Sequence, residues 1–568
     1  MPLSAEAPWL RFYGDMPKHL DYPRKTVYQC LAQTARAHPD AVAYEFEGAQ
    51  VRYGALLRRI DRAAAVFAAL GVQRGDRVTL CLPNLPLAVD CFYALSRLGA
   101  VANMIHPLSA PEEITFYLDL SQSKAILALD SFCDRVVPAC RAAKKPPLLL
   151  LTRICDALPF PKRALYRLKT HRHAPALPQD YPFRLWSALP AGAALPPDSG
   201  QGSDCAAILY SGGTTGRTKG ICLSGNNFNA LALQTIAASG CPTLLGCSML
   251  SVMPMFHGFG LGIGIHTALV GGARCILVPK FSVKRYAALL RRKRPSFIPG
   301  VPTLFEALLR APGLEGIRLP FLKGVFCGGD SLSVELKRRV DRFLAEHGAS
   351  VQIREGYGTT ECVTASCLTP QHGARDGSIG LPFPDTYYKI VRVGTTEETD
   401  AGQDGEICIS GPSVMTGYLD DPEETAQALR RHEDGRLWLH TGDLGHMDAD
   451  GFVYFTQRIK RMIVTSGYNV YPSRVEAVLD RHPAVQLSCV IGVKDAYKMQ
   501  RVRAYVVLRD GFAPDEALRS ELLTHCRRHI VRYAAPDELI FRTELPQTAV
   551  GKVAYRRLEE EAAQEEST

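Results

Sequence analysis

The chain has 568 residues, of which 46% are hydrophobic and 22% are charged. This composition is typical of a soluble globular protein and excludes disordered, collagen-like and coiled-coil chains, while the length predicts more than one domain. The 66 Lys and Arg residues exceed the 57 Asp and Glu residues by only nine. Such a mild excess gives weak support for binding to nucleic acid or to an anionic membrane, and we expect no nucleic-acid partner.

The cysteines and the apolar segments predict a cytoplasmic protein. The 17 cysteines are scattered, with no pair at C-x-x-C spacing. Residues 1–20 show no basic stretch followed by an apolar one, so we expect no secretory signal, and reduced thiols are then the natural state of the cysteines. The most apolar window, 258–278, is interrupted by His266 and Arg274 and is rich in glycine. A membrane span is therefore not expected.

The first third of the chain alternates strand and helix patterns. Residues 78–82 form a short apolar run typical of a buried strand, and residues 87–98 show helical spacing. Ser109 and Glu112 have the spacing of a capping box, which predicts that a helix begins there. Residues 124–129 again read as a strand. This repetition predicts an α/β fold with a mostly parallel sheet and helices on both faces.

Two later segments differ from this pattern. Residues 156–203 are rich in proline and carry a basic cluster, which we interpret as a solvated surface excursion in preference to a site for anionic lipid or a phosphorylated ligand. After about residue 456, short strand and helix patterns predict a small α+β domain. The acidic tail, residues 559–566, is expected to fray.

Residues 210–220, Tyr-Ser-Gly-Gly-Thr-Thr-Gly-Arg-Thr-Lys-Gly, are the strongest local signal in the chain. Glycines allow successive backbone N–H groups to turn toward one anion, hydroxyl groups add donors, and Lys219 adds a positive charge. The stretch therefore predicts a phosphate-binding loop. It is not a Walker A loop, because Lys219 follows Thr218 and precedes Gly220 instead of standing between Gly and Ser or Thr.

This loop resembles the phosphate loop of the adenylate-forming (AMP-binding) enzymes, a superfamily of acyl-CoA synthetases, peptide-synthetase adenylation domains and beetle luciferases. The usual pattern is Thr-Ser-Gly-Thr-Thr-Gly-x-Pro-Lys-Gly, from which this chain departs at Gly212 and Thr218. The resemblance implies that the chain uses ATP. The residues implied in binding its phosphates are Ser211, Gly212, Gly213, Thr214, Thr215, Gly216 and Lys219.

Further motifs follow in the order in which this family has them. Residues 254–257, Pro-Met-Phe-His, resemble an aromatic/His motif in which His257 would flank the substrate carboxylate. Residues 328–330 and 355–361 resemble the adenine-binding segments, which implicates Gly329 and Gly358 in nucleotide binding.

Three residues of the second segment have implied roles of their own. Tyr357 would stack on adenine, Thr360 would contact the α-phosphate, and Glu361 would hold Mg²⁺. One carboxylate is enough for that ion, because nucleotide phosphates supply most of its oxygen ligands.

The remaining motifs lie in the last third of the chain. Thr441-Gly-Asp443 looks like the ribose-binding motif, in which the Asp443 carboxylate would accept hydrogen bonds from both ribose hydroxyl groups. Residues 457–460 resemble the hinge between two domains, where Arg458 would contact the nucleotide and Lys460 would be the pivot. Residues 545–552 match the C-terminal lysine motif Pro-x-Thr-x-x-Gly-Lys, which ends in Lys552.

The resemblance implies a reaction in two steps. A carboxylate is a poor acyl donor, so it first attacks the α-phosphate of ATP to give an acyl-adenylate and pyrophosphate. Two anions meet in that step, so cations and backbone donors are needed. The implied catalytic residues are Lys552, His257, Thr360 and Glu361. The small domain would then rotate about Lys460, and Gly467 and Tyr468 would line the tunnel through which the thiol of CoA attacks.

The acid is expected to be a medium- or long-chain fatty acid. Amino-acid adenylation domains generally carry an Asp just after the aromatic/His motif, whereas this chain has Gly258, which would leave an ammonium group unpaired. Gly258 and Gly262 would instead leave room for an apolar chain beside His257. Residues 9–13 and 20–23 also look like bacterial fatty acid–CoA ligases. An aryl acid stays open, because small residues also admit a flat ring.

Two alternatives remain beside a CoA ligase. A free-standing adenylation enzyme would load an aryl or fatty acid onto the phosphopantetheine of a carrier protein, and a non-catalytic member of the family would only bind acyl groups or nucleotide. The retained Lys219, Glu361 and Asp443 argue against the latter. A fatty substrate makes transient membrane contact an open question. The resemblance implies a large domain, 1–457, of doubly wound sheets with a β-barrel-like subdomain, and a small mobile domain, 458–568.

Overall fold

The structure is a computed structural model that describes residues 3–170, 177–190, 194–212, 218–466, 468–495, 497–547 and 553–567. It is an α/β protein with two large mixed sheets, a smaller antiparallel sheet, and a fourth sheet formed by residues near the carboxyl end of the chain. The predicted fold class is confirmed.

The two large sheets follow the strand–helix alternation of the sequence, because helices between parallel strands cover both faces of each sheet. The first sheet contains, in spatial order, Gly417–Tyr418, Thr218–Ser224, Cys205–Gly212, Val101–Met104, Arg77–Cys81, Ala125–Leu129, Leu148–Thr152 and Phe183–Leu185. The second contains Leu381–Pro382, Cys367–Leu368, Ile353–Tyr357, Gly324–Cys327, Phe297–Gly300, Ser248–Ser251, Arg274–Leu277, Val42–Phe46 and Ala49–Arg52.

The two smaller sheets come from the last third of the chain. The first consists of Tyr387–Val391, Gly405–Ser410, Leu437–Met447 and Leu429–Arg431, with Val453–Arg458 also paired to Leu437–Met447. The second consists of Tyr468–Val470, Ile463–Thr465, Met499–Leu508 and Val485–Asp495, with Glu538–Arg542 parallel to Met499–Leu508.

Helices link and cover these strands. The α-helices are Leu3–Glu6, Val27–Ala37, Tyr53–Ala69, Pro86–Arg97, Pro111–Ser121, Cys133–Ala142, Ile154–Ala157, Lys162–Thr170, Gly225–Ser239, Ala268–Val270, Val283–Lys293, Pro302–Leu309, Val334–Glu346, Pro422–Ala428, Pro472–Leu479, Glu516–His529 and Tyr555–Ser567. A π-helix spans Phe259–Thr267. Short 3₁₀ turns occur at Pro8–Phe12, Asp130–Phe132, Trp186–Ala188, Thr360–Cys362, Ile459–Arg461 and Arg532–Ala534.

The hydrophobic core changes near residue 460. One large cluster of buried apolar side chains draws its members from Ala7 to Val453, and a separate cluster draws its members from Ile463 to Leu539. The strand Val453–Arg458 still pairs with the preceding sheet, whereas Ile463–Thr465 pairs with the last one. Only the short turn Ile459–Arg461 lies between these two strands.

Three local expectations from the sequence need correction. The capping box predicted at Ser109 and Glu112 does not form: the helix begins at Pro111, the N-cap residue Ala110 has no side-chain acceptor, and only the N–H of Ala110 donates to the Glu113 carboxylate, at 3.1 Å. The segment 156–203 is more than a loop, because it forms a helix and adds Phe183–Leu185 to a sheet edge. The acidic tail does not fray, because Leu558 and Ala562 of its helix are buried against the last sheet.

The apolar window 258–278 does not form a membrane span. In the part of the chain that the structure describes, no helix combines the length and the apolar character that crossing a bilayer requires. His266 is a buried packing residue: its ring lies 3.1 Å from the Tyr93 hydroxyl group and 3.0 Å from Oδ1 of Asn229. Burial lowers the pKa of His266 to about 3, so the ring is neutral.

Candidate active site

The predicted phosphate loop connects two antiparallel strands. Ser211 pairs with Lys219 and Gly212 pairs with Thr218, at the ends of Cys205–Gly212 and Thr218–Ser224. The residues between these strands include four that the motif implicates in phosphate binding. These four, Gly213, Thr214, Thr215 and Gly216, lie outside the described residues.

Lys219 is anchored by two side chains that sequence reasoning missed. It forms an ion pair with Glu424, and its Nζ lies 4.8 Å from the centre of the Tyr418 ring. The lysine side chain is only 12% exposed, so the positive charge is held in one place beside the phosphate loop. The hydroxyl group of Tyr418 donates to Oε1 of Glu361 at 3.0 Å. Lys219 and Glu361, which are far apart in sequence, are thereby brought to one cluster.

Tyr357, Asp443 and Arg458 form a second group. The Tyr357 hydroxyl donates to Oδ2 of Asp443 at 2.6 Å, and Nε of Arg458 lies 2.8 Å from Oδ1 of the same carboxylate. Asp443 is 1% exposed and pairs directly with Arg458 across two strands. Burial and the neighbouring Asp443 raise the pKa of the Tyr357 hydroxyl, and Asp443 raises the pKa of Arg458. The structure thus joins three residues predicted to bind adenine, ribose and nucleotide.

The segment after Tyr357 is held in an unusual backbone shape. Thr360 and Glu361 lie on a short 3₁₀ turn, and Val363 follows with φ of 65°. The N–H of Thr364 donates to the carbonyl of Cys362 at 2.8 Å, which makes Val363 the centre of a γ-turn of the rare, strained type. A positive φ is disfavoured for a β-branched residue and is often found at functional sites.

Gly258 and Gly262 are explained by close contact with this turn. A Cβ at Gly258 would lie 1.6 Å from the carbonyl oxygen of Val363, and a Cβ at Gly262 would lie 2.9 Å from its side chain. The space beside these glycines is therefore filled by the protein. His257 precedes them, with its ring next to that of Phe256 and its N–H donating to the carbonyl of Pro254.

An apolar cavity borders the π-helix Phe259–Thr267, on a face other than the one that contacts Val363. Phe259, Ile263 and Thr267 line it from the helix, four residues apart. The other lining residues are Thr235, Ser239, Leu244, Met249, Phe297, Phe326, Cys327, Gly328, Gly329, Gly356, Thr364, Ala365, Cys367, Leu368 and Phe383. Sequence reasoning missed these residues apart from the glycines of the predicted nucleotide segments, although a buried helix with aromatic and β-branched residues at regular spacing is a signal that could have found Phe259 and Ile263.

The parallel strands give this cavity a direction. Met249 and Phe297 are register partners near the amino ends of their strands, and they define the inner end. On the neighbouring strand, the register partner of Phe297 is Gly324, and Cys327 and Gly328 follow Gly324 by three and four residues. These two residues lie close to the nucleotide segments and define the outer end. At about 3.3 Å per residue, the two ends are separated by roughly 10 Å.

Two further predicted residues, Lys460 and Tyr468, lie beyond the large sheets. Lys460 is exposed on the turn Ile459–Arg461. Tyr468 is 56% exposed and stacks on Tyr533, with ring centres 4.6 Å apart. Gly467 and Lys552 lie outside the described residues.

The predicted site residues of this α/β protein gather at the carboxyl ends of parallel strands, where ligands of such sheets bind. The family model described as AMP-binding enzyme matches residues 31–419, and that described as AMP-binding enzyme C-terminal domain matches residues 474–552. The chain belongs to the AMP-binding enzyme family.

Curated proteins and a solved structure agree with this assignment. The chain is 34% identical to a long-chain-fatty-acid–CoA ligase of Bacillus subtilis, over 98% of this chain and 99% of that protein. It is 32% identical to a ligase of the same name from Salmonella typhimurium, over 98% of both chains. Its fold resembles that of ATP-bound MatB from Rhodopseudomonas palustris, with a TM-score of 0.79 and 26% identity over 94% of this chain and 98% of that one.

These findings confirm the resemblance inferred from the motifs, including the likeness to bacterial fatty acid–CoA ligases. They also confirm that the protein is an enzyme of the ATP-dependent, adenylate-forming class.

Proposed function

We propose that the protein joins a medium- or long-chain fatty acid to CoA through an acyl-adenylate. The observation that carries this proposal is the apolar cavity whose outer end, at Gly328 and Gly356, belongs to the segments predicted to bind the nucleotide. An acid whose chain enters this cavity would present its carboxylate at the α-phosphate. Because the residues that line the cavity are uncharged, a substrate with an ammonium group in the same place would be left unpaired.

The size of the cavity bears on the length of the acid. Its volume is about 50 Å³, whereas a protein cavity of about 150 Å³ accepts benzene. A long acyl chain therefore enters only if side chains at the inner end move. Met249 is suited to this, because its unbranched side chain adapts to irregular spaces.

The nucleotide would be held by the two clusters around Lys219 and Asp443. Tyr357 and Arg458 fix the Asp443 carboxylate, so that it can accept hydrogen bonds from ribose hydroxyl groups. Lys219 is paired with Glu424, and a phosphate group would compete with that carboxylate for the ammonium group. Lys552 would add a positive charge between the carboxylate and the α-phosphate, which lowers their repulsion and aligns the attack.

Glu361 fits the expected role of binding Mg²⁺. Tyr418 donates to Oε1 of Glu361, and Oε2 has no hydrogen-bond partner within the described residues, so one carboxylate oxygen can serve a cation. Carboxylate and phosphate oxygens are the ligands this hard ion prefers. When bound, Mg²⁺ would supply positive charge at the phosphate oxygens.

CoA is the proposed acceptor, and the proposed domain boundary lies near Lys460. The change of sheet and of hydrophobic core across residues 459–462 supports a small unit, 458–568, that moves against residues 1–457. A turn of three residues, with Lys460 exposed at its centre, can absorb the backbone change of such a rotation. Tyr468 would then lie beside the incoming thiol.

A cytoplasmic enzyme for fatty acids would also meet membranes, and one surface suits transient contact. Phe160, Leu165 and Leu168 are 85%, 62% and 79% exposed on or beside the helix Lys162–Thr170, which also carries basic residues. Apolar and basic side chains on one short helix favour binding to an anionic bilayer surface.

The double variant Leu165→Gln with Leu168→Gln should reduce flotation with anionic vesicles, whereas the control variant Leu108→Gln, at another exposed leucine, should not.

The function is tested by incubating the protein with ATP, Mg²⁺, CoA and acids from acetate to palmitate, together with benzoate and coumarate. Mass spectrometry should detect acyl-CoA with an optimum in chain length, accompanied by AMP and pyrophosphate. Pyrophosphate without a CoA thioester would point to a carrier-protein acceptor. An optimum at an aryl acid would contradict the proposed substrate.

A further inference from the structure

We propose that Cys408, His432 and His440 form a binding site for a soft divalent metal ion, with Zn²⁺ as the best-suited ion. The three side chains are buried, and their potential ligand atoms all lie within 4.8 Å of one another. They take no part in the proposed adenylation. Thiolate and imidazole ligands in one place are typical of zinc sites.

The sheet itself brings the three residues together. Cys408 and His440 are direct partners on the neighbouring strands Gly405–Ser410 and Leu437–Met447. His432 follows the short strand Leu429–Arg431, which pairs with the other side of Leu437–Met447. Its ring stacks on Trp438, with centres 5.6 Å apart, and this contact directs the ring toward His440.

The distances are close to those of a metal site. Nε2 of His432 lies 3.0 Å from Nε2 of His440. Bond lengths of about 2.0–2.1 Å for Zn–N and about 2.3 Å for Zn–S place tetrahedral ligand atoms roughly 3.3–3.6 Å apart. Small side-chain shifts would therefore bring the three atoms around one ion, with a fourth position left for water.

Glu406 accepts the hydrogen bond that a metal-binding histidine usually donates from its other ring nitrogen. Its Oε2 lies 2.9 Å from Nδ1 of His440, while its Oε1 accepts the N–H of Gly442 at 3.0 Å. The carboxylate places the proton of His440 on Nδ1, so the lone pair of Nε2 points into the cluster. Such a carboxylate–histidine pair orients the ligand and raises its basicity.

In the metal-free protein, Nε2 of His432 donates a hydrogen bond to the lone pair on Nε2 of His440 at 3.0 Å. Nδ1 of His432 is buried and has no hydrogen-bond partner within the described residues, so metal binding would move the proton of His432 from Nε2 to Nδ1 and give Nε2 a lone pair. Lys389, a neighbouring cation, is already paired with Asp434 at 2.9 Å. The Cys408 thiolate and Glu406 would together balance the two charges of Zn²⁺. Binding would release the proton of the buried thiol.

The test uses the full-length protein, stripped of metal and titrated with Co²⁺ and Zn²⁺. Co²⁺ should give a thiolate charge-transfer absorption band at one equivalent, which Zn²⁺ then removes. Cys408→Ser should abolish the band. The matched control Cys489→Ser, also a buried thiol but in another sheet, should keep it, which separates the site from adventitious binding by other cysteines.

Two further variants keep the proposal testable if Cys408→Ser fails to fold. Glu406→Gln should weaken Zn²⁺ binding by about 10–100-fold, as changes to such supporting residues do, and His432→Asn should alter the visible absorption of bound Co²⁺. Zn²⁺ should raise the melting temperature of the wild-type protein and of Cys489→Ser, but not that of Cys408→Ser. No thiolate band in the wild type, or an equal band in Cys408→Ser, would overturn the proposal.

Discussion

Glu355 is a buried carboxyl group at the start of the segment that carries Tyr357 and Glu361. It accepts a hydrogen bond from the N–H of Leu332 at 3.1 Å, and burial raises its pKa to about 8 from an ordinary value of 4.5. The group is therefore protonated in the folded protein at pH 7, while the unfolded chain would have lost the proton. Between these two pKa values the folded state binds one more proton than the unfolded state, so stability falls as pH rises.

Glu355→Gln should remove this pH dependence, because the amide also accepts the Leu332 hydrogen bond but never ionises. As pH rises from 5 to 9, the melting temperature of the variant should increase relative to that of the wild type. The control Glu335→Gln, at an exposed carboxyl on the helix Val334–Glu346, should leave the wild-type slope unchanged. Parallel curves for Glu355→Gln and the wild type would contradict the assignment.

The residues of the site differ in how far the sequence could predict them. Asp443 and Arg458 stand in recognisable motifs, and the structure joins them at 2.8 Å. Tyr418 and Glu424 stand in no such motif, yet they contact Lys219 and Glu361. Their position depends on the pairing of Gly417–Tyr418 with Thr218–Ser224, and no local pattern specifies a pairing across two hundred residues.

The π-helix Phe259–Thr267 borders the apolar cavity. The sequence window that contains it is apolar on all sides, so its periodicity does not reveal which face borders a cavity. Glycines in the window suggested open space, but Gly258 and Gly262 fit against Val363, whereas Phe259 and Ile263 face the cavity. The proposed function therefore predicts that chain-length preference depends on the larger side chains and on the strand ends opposite them.

Met249→Phe should shift the preferred acid to a shorter chain, because a rigid ring at the inner end would block the space that the flexible methionine can vacate. Activity should be measured with acids from hexanoate to palmitate. Met447→Phe is the matched control, since Met447 is also buried but lies on the strand Leu437–Met447, which does not line the cavity. An unchanged profile of chain length in Met249→Phe would refute the proposed orientation of the cavity.

At the scale of the whole molecule, the order of the motifs predicted the family and fold class, because each motif depends on a few neighbouring residues. The edge strand Phe183–Leu185 and the helix Tyr555–Ser567, which buries Leu558 and Ala562, were missed. Both lie in segments whose composition is typical of loops or tails, and both are stabilised by contacts with distant strands. The sequence shows no sign of those contacts.

The proposed rotation predicts opposite effects for two lysines. Lys552→Ala should nearly abolish formation of the acyl-adenylate but largely preserve thioester formation from supplied acyl-adenylate. Lys460→Pro should preserve adenylation and impair the thioester step, because proline restricts the backbone of the pivot. Pyrophosphate release and acyl-CoA formation, measured separately, check both. Equal loss of the two half-reactions in either variant would contradict its assigned role.

The contact between Gly258 and the carbonyl oxygen of Val363 restricts how the substrate class can be redesigned or can diverge. Amino-acid adenylation domains generally carry an Asp at the position of Gly258. In this protein, a side chain there would collide with the main chain of Val363 at 1.6 Å. The γ-turn would have to be rebuilt before the aspartate could be accommodated. The two positions must therefore change together, and a single substitution at Gly258 cannot give this enzyme the aspartate of an amino-acid adenylation domain.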